Sequence, residues 1–503
     1  MNAISDTGAA AHEARRPWSF AATLVLAAIA LWPYRHFAGD DAYISFRFAQ
    51  NFASGAGFSF NPGVPTYGST SPLWVFLLAL GSKLGLDLLT ASHLLDAIFI
   101  ALTLGVFTKL CDRLIVSVPL RWAACALLIL DPWFVHWAMS GMENPAALFL
   151  VSVALWARLE ARTIPSRGWW AAIACGVGML VRPEFAALTL LVCVDTWIFE
   201  KQRGLLRAIG AGLLVCALYL PWLVYAQRSF GSIVPNTVSA KTGAGRAMAA
   251  YGVLRAFASF YLFEAAGLAL LLVLSAKAIV ARLRTRAALE RWFPVLGWSL
   301  LLPAFYVAGS APVSARYVMF GLPAFLLVGV KSWDLLLREP RLVKPRVVVA
   351  ALVAASLALV VAVQARYCWY ISRWPRGMDP NMVAIGDLLR ARAAPTDLLA
   401  TDQIGVVGFV SGLRVLDMAA LVSPELRGIT RKGDGSPLLE AVRARQPQWV
   451  LLARTKDQLS KLDPTYATLE VVGDFLVQRE GASEAGRPTR YWLYRTHWEQ
   501  GQP

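Results

Sequence analysis

Charge is scarce in this chain. Only 16% of its 503 residues are Asp, Glu, Lys or Arg, and 57% are hydrophobic. Soluble domains carry roughly 25% charged and 45–50% apolar residues. The balance excludes a disordered chain and an ordinary cytosolic enzyme. Cysteine is sparse too: Cys111, Cys125, Cys175, Cys193, Cys216 and Cys368 form no CxxC pair, and the last 130 or so residues contain none. Neither a disulfide framework nor a thiolate metal site is indicated. The five histidines show no HExxH spacing. A P-loop, a G-x-G-x-x-G and a G-x-S-x-G are all missing, so no nucleotide pocket or serine-hydrolase elbow is expected. Internal repeats and low-complexity runs are also missing.

The charge that is present leans basic, at a formal +16. Two readings fit: a nucleic-acid binder, or a membrane protein with basic inner loops. Position decides. Apolar stretches near the ~20 residues that cross a bilayer fall at 17–34, 91–110, 121–138, 145–161, 168–181, 183–199, 205–226, 251–276, 292–309, 317–336 and 346–368. The first reads as an uncleaved span, since no small-residue cleavage site follows it. Pro72–Leu89 is ambiguous because Lys83 and Asp87 interrupt it. If it stays on the surface, about eleven spans result. The inner loops, their flanks and the N-terminal segment then carry 21 Lys and Arg against eight acids. If it crossed, the later basic loops would face outward, against the positive-inside rule. No basic stripe with interleaved aromatics marks the polar tail, so nucleic acid is not expected as a partner.

The tail changes character. Helix patterns near 380–393 and 437–445 alternate with strand patterns at 398–400, 406–410, 449–453 and 469–477. The expected fold is an α-helical polytopic membrane protein with a C-terminal soluble α/β domain. The boundaries read are 1–368 for the membrane domain, with interfacial helices in its first outer loop (39–90), and 369–503 for the soluble domain. The N-terminus is expected in the cytoplasm and the soluble domain outside, in the periplasm or its equivalent.

Charges within or beside spans are expensive and are functional candidates by default. The sharpest lie in the first outer loop, which opens with Asp40 and Asp41 and places Arg47 about two helical turns on, in position to pair with Asp40. Paired carboxylates suit general-base work or a divalent cation. Asp also favours helix N-caps, and the dipeptide fits that reading as well. Glu143 lies in SGMENP with His136 nearby. Arg182 and Glu184 lie in VRPE, Asn236 and Lys241 in PNTVSAKTG, and Arg316 and Tyr317 in SARYVMFGLP. Taken singly, these read as a local ion pair, a solvated loop charge and interfacial anchors. All fall on one expected side of the membrane. Acids and bases gathered there suit a phosphorylated lipid, with cations holding the phosphate and carboxylates acting on the acceptor.

The first loop, with its acidic pair, R-x-x-x-N (Arg47, Asn51), G-x-G, FNPG and TSPLW, resembles the GT-C superfamily of polyprenyl-phosphate-sugar-dependent membrane glycosyltransferases. Within it, the chain is most similar to the mycobacterial terminal arabinofuranosyltransferases and their bacterial relatives. The resemblance continues through SGMENP, VRPE, PNTVSAKT, the ARY segment and TDQIGVVGFVSGLRVLDMAALVSPE (401–425). It implies a GT-C bundle in a bacterial inner membrane and a polyprenyl-phosphate-linked donor. The transferred sugar would be arabinofuranose or another glycosyl unit, and the acceptor a cell-envelope glycan or glycoconjugate. It implies catalytic roles for Asp40, Asp41 and Glu143, and substrate contacts for Arg47, Asn51, Arg182, Glu184, Asn236, Lys241, Arg316 and Tyr317. A divalent cation at Asp40, Asp41, Glu143 and His136 stays open, and no nucleotide cofactor is expected. The competing readings are a lipid-linked-sugar flippase, which would show inverted repeats and broken midplane helices, and a glycan-binding scaffold.

Overall fold

The computed structural model describes residues 17–237, 285–309, 315–338, 380–429, 435–477 and 489–498, with scattered positions within 250–257 and 347–366. The spans expected at 251–276 and 346–368 lie largely outside these residues, as does Lys241.

The N-terminal part is helical. In chain order it comprises α1 (Pro17–Leu31), α2 (Asp40–Ala53), α3 (Pro72–Lys83), α4 (Leu88–Leu114), α5 (Val118–Leu130), α6 (Pro132–Ala138), α7 (Asn144–Glu160), α8 (Gly168–Met179), α9 (Phe185–Phe199) and α10 (Gly204–Phe230). Helices α11 (Arg286–Ala308) and α12 (Leu322–Arg338) follow. Among the described residues two helices, α4 and α10, are long and apolar enough to cross a membrane by length and composition; α5 and α9 are shorter apolar helices. Helix α3 is 12 residues long, about 18 Å, and so is shorter than a ~30 Å hydrocarbon core. Helix α7 is apolar nearly all round and packs against both α4 and α8.

The span expected at 121–138 is broken in two. Asp131 is extended and its carboxylate accepts the N–H groups of Trp133 (3.0 Å) and Phe134 (2.9 Å). Pro132 then takes the first helical position, where its missing N–H costs nothing. A capping Asp followed by Pro restarts a helix and does not extend one.

The tail folds around a five-stranded mixed sheet of order β2-β1-β3-β5-β4. Its strands are β1 (Leu398–Thr401), β2 (Arg414–Asp417), β3 (Trp449–Leu452), β4 (Glu470–Val477) and β5 (Thr489–Arg495). β2, β1 and β3 are parallel, and β5 pairs antiparallel to both β3 and β4. The helices expected near 380–393 and 437–445 are Pro380–Arg392 (α13) and Ser436–Arg443. The strand expected at 406–410 is instead a short helix, Val406–Ser411 (α14). It packs on α2 and α13, with Val406, Val407 and Val410 buried, so tertiary burial overrides β propensity here.

Candidate active site

Asp40 and Asp41 open α2, and the local chain is fixed from several sides. The Gly39 N–H donates to Ser140 O at 3.0 Å, which ties the start of α2 to the SGMENP loop. Gly141 in that loop has a φ of +73°, a conformation that favours glycine. Its N–H donates to the buried carboxylate of Asp96 (3.1 Å), and its carbonyl accepts the indole N–H of Trp74 (3.2 Å). The acidic pair and Glu143 are therefore set by one hydrogen-bonded unit.

The two adjacent carboxylates point to different partners. Asp40 Oδ1 accepts the backbone N–H of Val406 from the tail at 2.8 Å. Burial pushes the Asp40 carboxyl up to about 6. The Val406 N–H opposes that rise, and the charges of Asp41 and Asp402 add to it. Asp41 stays 43% exposed at its side chain and pairs with Arg316 at 2.6 Å. Arg316 also donates to the Tyr317 hydroxyl (3.1 Å) and lies over the Tyr317 and Trp137 rings. Its Nε is buried with no hydrogen-bond partner.

A second unit lies beside the first. Arg182 binds Glu143 Oε1 at 2.8 Å and Glu184 Oε1 at 2.7 Å. It stacks over Tyr317 at 4.8 Å and Phe320 at 5.3 Å. The Tyr306 hydroxyl donates to Glu184, and the Tyr306 and Tyr317 rings stack with centroids 5.6 Å apart. Tyr317 thus joins the Arg316–Asp41 pair to the Arg182–Glu143–Glu184 cluster. Asn144, next to Glu143, is fully buried and neither side-chain polar atom has a partner.

Four further expected site residues, Arg47, Asn51, Asn236 and His136, have partners outside this constellation. Arg47 does not pair with Asp40. It is buried and donates to the carbonyls of Phe60 (3.1 Å), Gly408 (2.7 Å), Gly412 (3.3 Å) and Leu413 (2.8 Å). Its turn of α2 faces the tail, so its donors are spent on backbone. Asn51 donates to Ser59 O and Phe60 O at 2.9 and 2.8 Å and shapes the loop after α2. Asn236 accepts from Arg427 of the tail, and its N–H donates to Tyr67 O. His136 packs against Phe37 (ring centroids 4.5 Å apart) and Trp137. Among the described residues no three His, Cys, Asp or Glu side chains converge on a point that could hold a metal. Asp40, Asp41 and Glu143 have the separate partners given above, and the Nδ1 of His136 is buried without a hydrogen-bond partner.

The pattern-based reading missed Asp96, Tyr306 and the Gly405–Val406 turn. Asp96 carried a signal, a carboxylate inside the apolar run 91–110. Tyr306 carried none, and the turn lies within the 401–425 stretch of the resemblance without any residue in it being singled out.

Residues 373–494 match a family described as a domain of unknown function, DUF8728. The chain is 29% identical over 252 residues to the terminal beta-(1->2)-arabinofuranosyltransferase of Mycobacterium tuberculosis, covering 45% of this chain and 38% of that relative. The matched region is thus well under half of the relative's length. The fold superposes on ArnT from Cupriavidus metallidurans bound to undecaprenyl phosphate, with a TM-score of 0.60 at 14% identity, over 97% of this chain and 98% of that one. It also superposes on the oligosaccharyltransferase AglB from Archaeoglobus fulgidus in complex with an inhibitory peptide and a dolichol-phosphate. There the TM-score is 0.56 at 13% identity, over 86% and 69% of the two chains. The fold is thus shared with ArnT and AglB.

Proposed function

We propose that the chain is an integral-membrane glycosyltransferase. It moves a sugar, arabinofuranose or another glycosyl unit, from a polyprenyl phosphate to a hydroxyl of a cell-envelope glycan or glycoconjugate. The setting is the outer face of a bacterial inner membrane, with the N-terminus cytoplasmic. Residues 1–368 form the membrane domain, and 369–503 form an outer domain that presents the acceptor. The observation that carries this reading is the joined constellation at one end of the bundle: Asp40, Asp41 with Arg316, and Arg182 with Glu143 and Glu184.

The reaction is a single displacement. Asp40 takes the proton of the acceptor hydroxyl, for which a carboxyl held near 6 is better matched than an ordinary one. The acceptor oxygen forms a bond to the anomeric carbon with inversion. The bond from that carbon to the phosphate oxygen breaks, and polyprenyl phosphate leaves with the electron pair. Arg316, together with Lys241, compensates the leaving phosphate. Arg182 fixes Glu143 and Glu184, and through Tyr317 it stiffens the bed on which Arg316 lies.

The experiment is reconstitution of the full chain in liposomes with a radiolabelled polyprenyl-phosphate sugar and a cell-envelope glycan fraction. Label in a glycosidic product, matched by released polyprenyl phosphate, is the expected result. Movement of intact donor across the bilayer without product would identify a flippase.

A further inference from the structure

The tail does more than sit beside Asp40. We propose that the Gly405–Val406 turn positions Asp40, so that Gly405 is a positioning residue and docking of the tail is a condition of turnover. This rests on the reading of Asp40 as the base.

Three sets of observations converge. The Val406 N–H holds Asp40 Oδ1 at 2.8 Å across 366 positions of sequence. Gly405 lies so close that an added Cβ would come within 2.2 Å of the Asp40 carbonyl oxygen and 2.5 Å of its Cγ and Oδ1. Any side chain there must displace Asp40 or the turn. The surrounding contacts fix the turn against α2 and its loop. Arg47 binds the carbonyls of Gly408, Gly412 and Leu413. The Asn61 side chain donates to Val415 O (2.8 Å) and accepts the Val415 N–H (2.9 Å), capping the open edge of β2. Gly68 packs against Val422, and a Cβ there would meet its Cγ1 at 2.7 Å. The charged groups that face Asp40 are Asp41 on its own helix, paired with Arg316, and Asp402 in the tail loop. A tail held this way delivers one backbone donor to one carboxylate oxygen. A substrate-binding appendage needs no such contact.

The test compares Gly405→Ala with Gly212→Ala in the full chain in lipid nanodiscs, measuring kcat and KM for donor and acceptor. Gly212 lies within α10, away from the tail contacts, and a Cβ there would meet only Cys193 Sγ at 3.9 Å. Gly405→Ala should lower kcat about 10- to 100-fold. Its KM values should stay within a factor of about two, and Gly212→Ala should keep wild-type kcat. Equal losses in both variants, or a Gly405→Ala loss confined to KM, would overturn the proposal. Should Gly405→Ala not fold, Val406→Pro removes the same donor at a first helical position that tolerates proline. A folded Val406→Pro enzyme with wild-type kcat overturns it as well. Wild-type turnover by Asp40→Asn would instead remove the base assignment itself.

Discussion

The two ends of α7 both bring arginines against carboxylates, and they do so to different effect. The helix has 17 residues, so its ends lie about 25 Å apart. At the Glu160 end each carboxylate meets two guanidiniums. Glu160 pairs with Arg113 and Arg167, Asp195 with Arg158 and Arg162, and Glu200 with Arg158 and Arg207. These pairs stitch α4, α7, α9 and α10 together. At the Glu143 end one guanidinium serves two carboxylates, Glu143 and Glu184. Asp41 is half-exposed against Arg316, and Asp40 rests on a backbone N–H. A carboxylate held by two arginines is committed to its ion pairs. A carboxylate held by an amide and pushed up by burial keeps its affinity for a proton. The first arrangement builds a bundle, and the second is available for chemistry.

Breaking the first end should cost stability and leave the chemistry intact. Arg158→Ala strips a partner from buried Asp195 and from Glu200 at once. The expected loss is about 1.5–3 kcal/mol per charge-assisted hydrogen bond removed, because Asp195 keeps Arg162 and Glu200 keeps Arg207. Denaturant unfolding in detergent measures it, with transfer per folded molecule retained. An unchanged midpoint would contradict a structural role for that end.

The second end is probed by pH. Burial raises the Asp40 carboxyl to about 6, and a general base acts in its ionised form. At pH 7 most molecules carry the competent carboxylate; below pH 6 most do not. The pH profile of kcat/KM should therefore fall on the acid side with an apparent pKa near 6, by about tenfold per unit at its steepest. A profile flat down to pH 5 would mean that Asp40 does not carry the limiting proton transfer.

Much of this contrast was legible in the sequence because it is written in local patterns. Runs of apolar residues located α1, α4 and α7–α10 within a few positions, and Asp40, Asp41, Glu143, Arg182, Glu184, Arg316 and Tyr317 do lie in one connected constellation. What failed depended on contacts made far along the chain. Arg47 looked like a partner of Asp40 because i and i+7 share a helix face, yet its carbonyl acceptors lie mostly 361–366 positions away. VVGFV is rich in β-branched and aromatic residues like a strand, but it folds as a helix because α2 and α13 bury its valines. Strands β2 and β5 were missed; in β2 the charged Arg414 and Asp417 bracket only two apolar residues.

The central claim is that Asp40 is the base at an end of the bundle where stability does not depend on it. The direct measurement is transfer of labelled sugar from a polyprenyl-phosphate donor by purified Asp40→Asn protein, with its melting temperature recorded alongside. The account predicts a melting temperature close to wild type and no transfer above background. Wild-type turnover by the folded Asp40→Asn protein would contradict it.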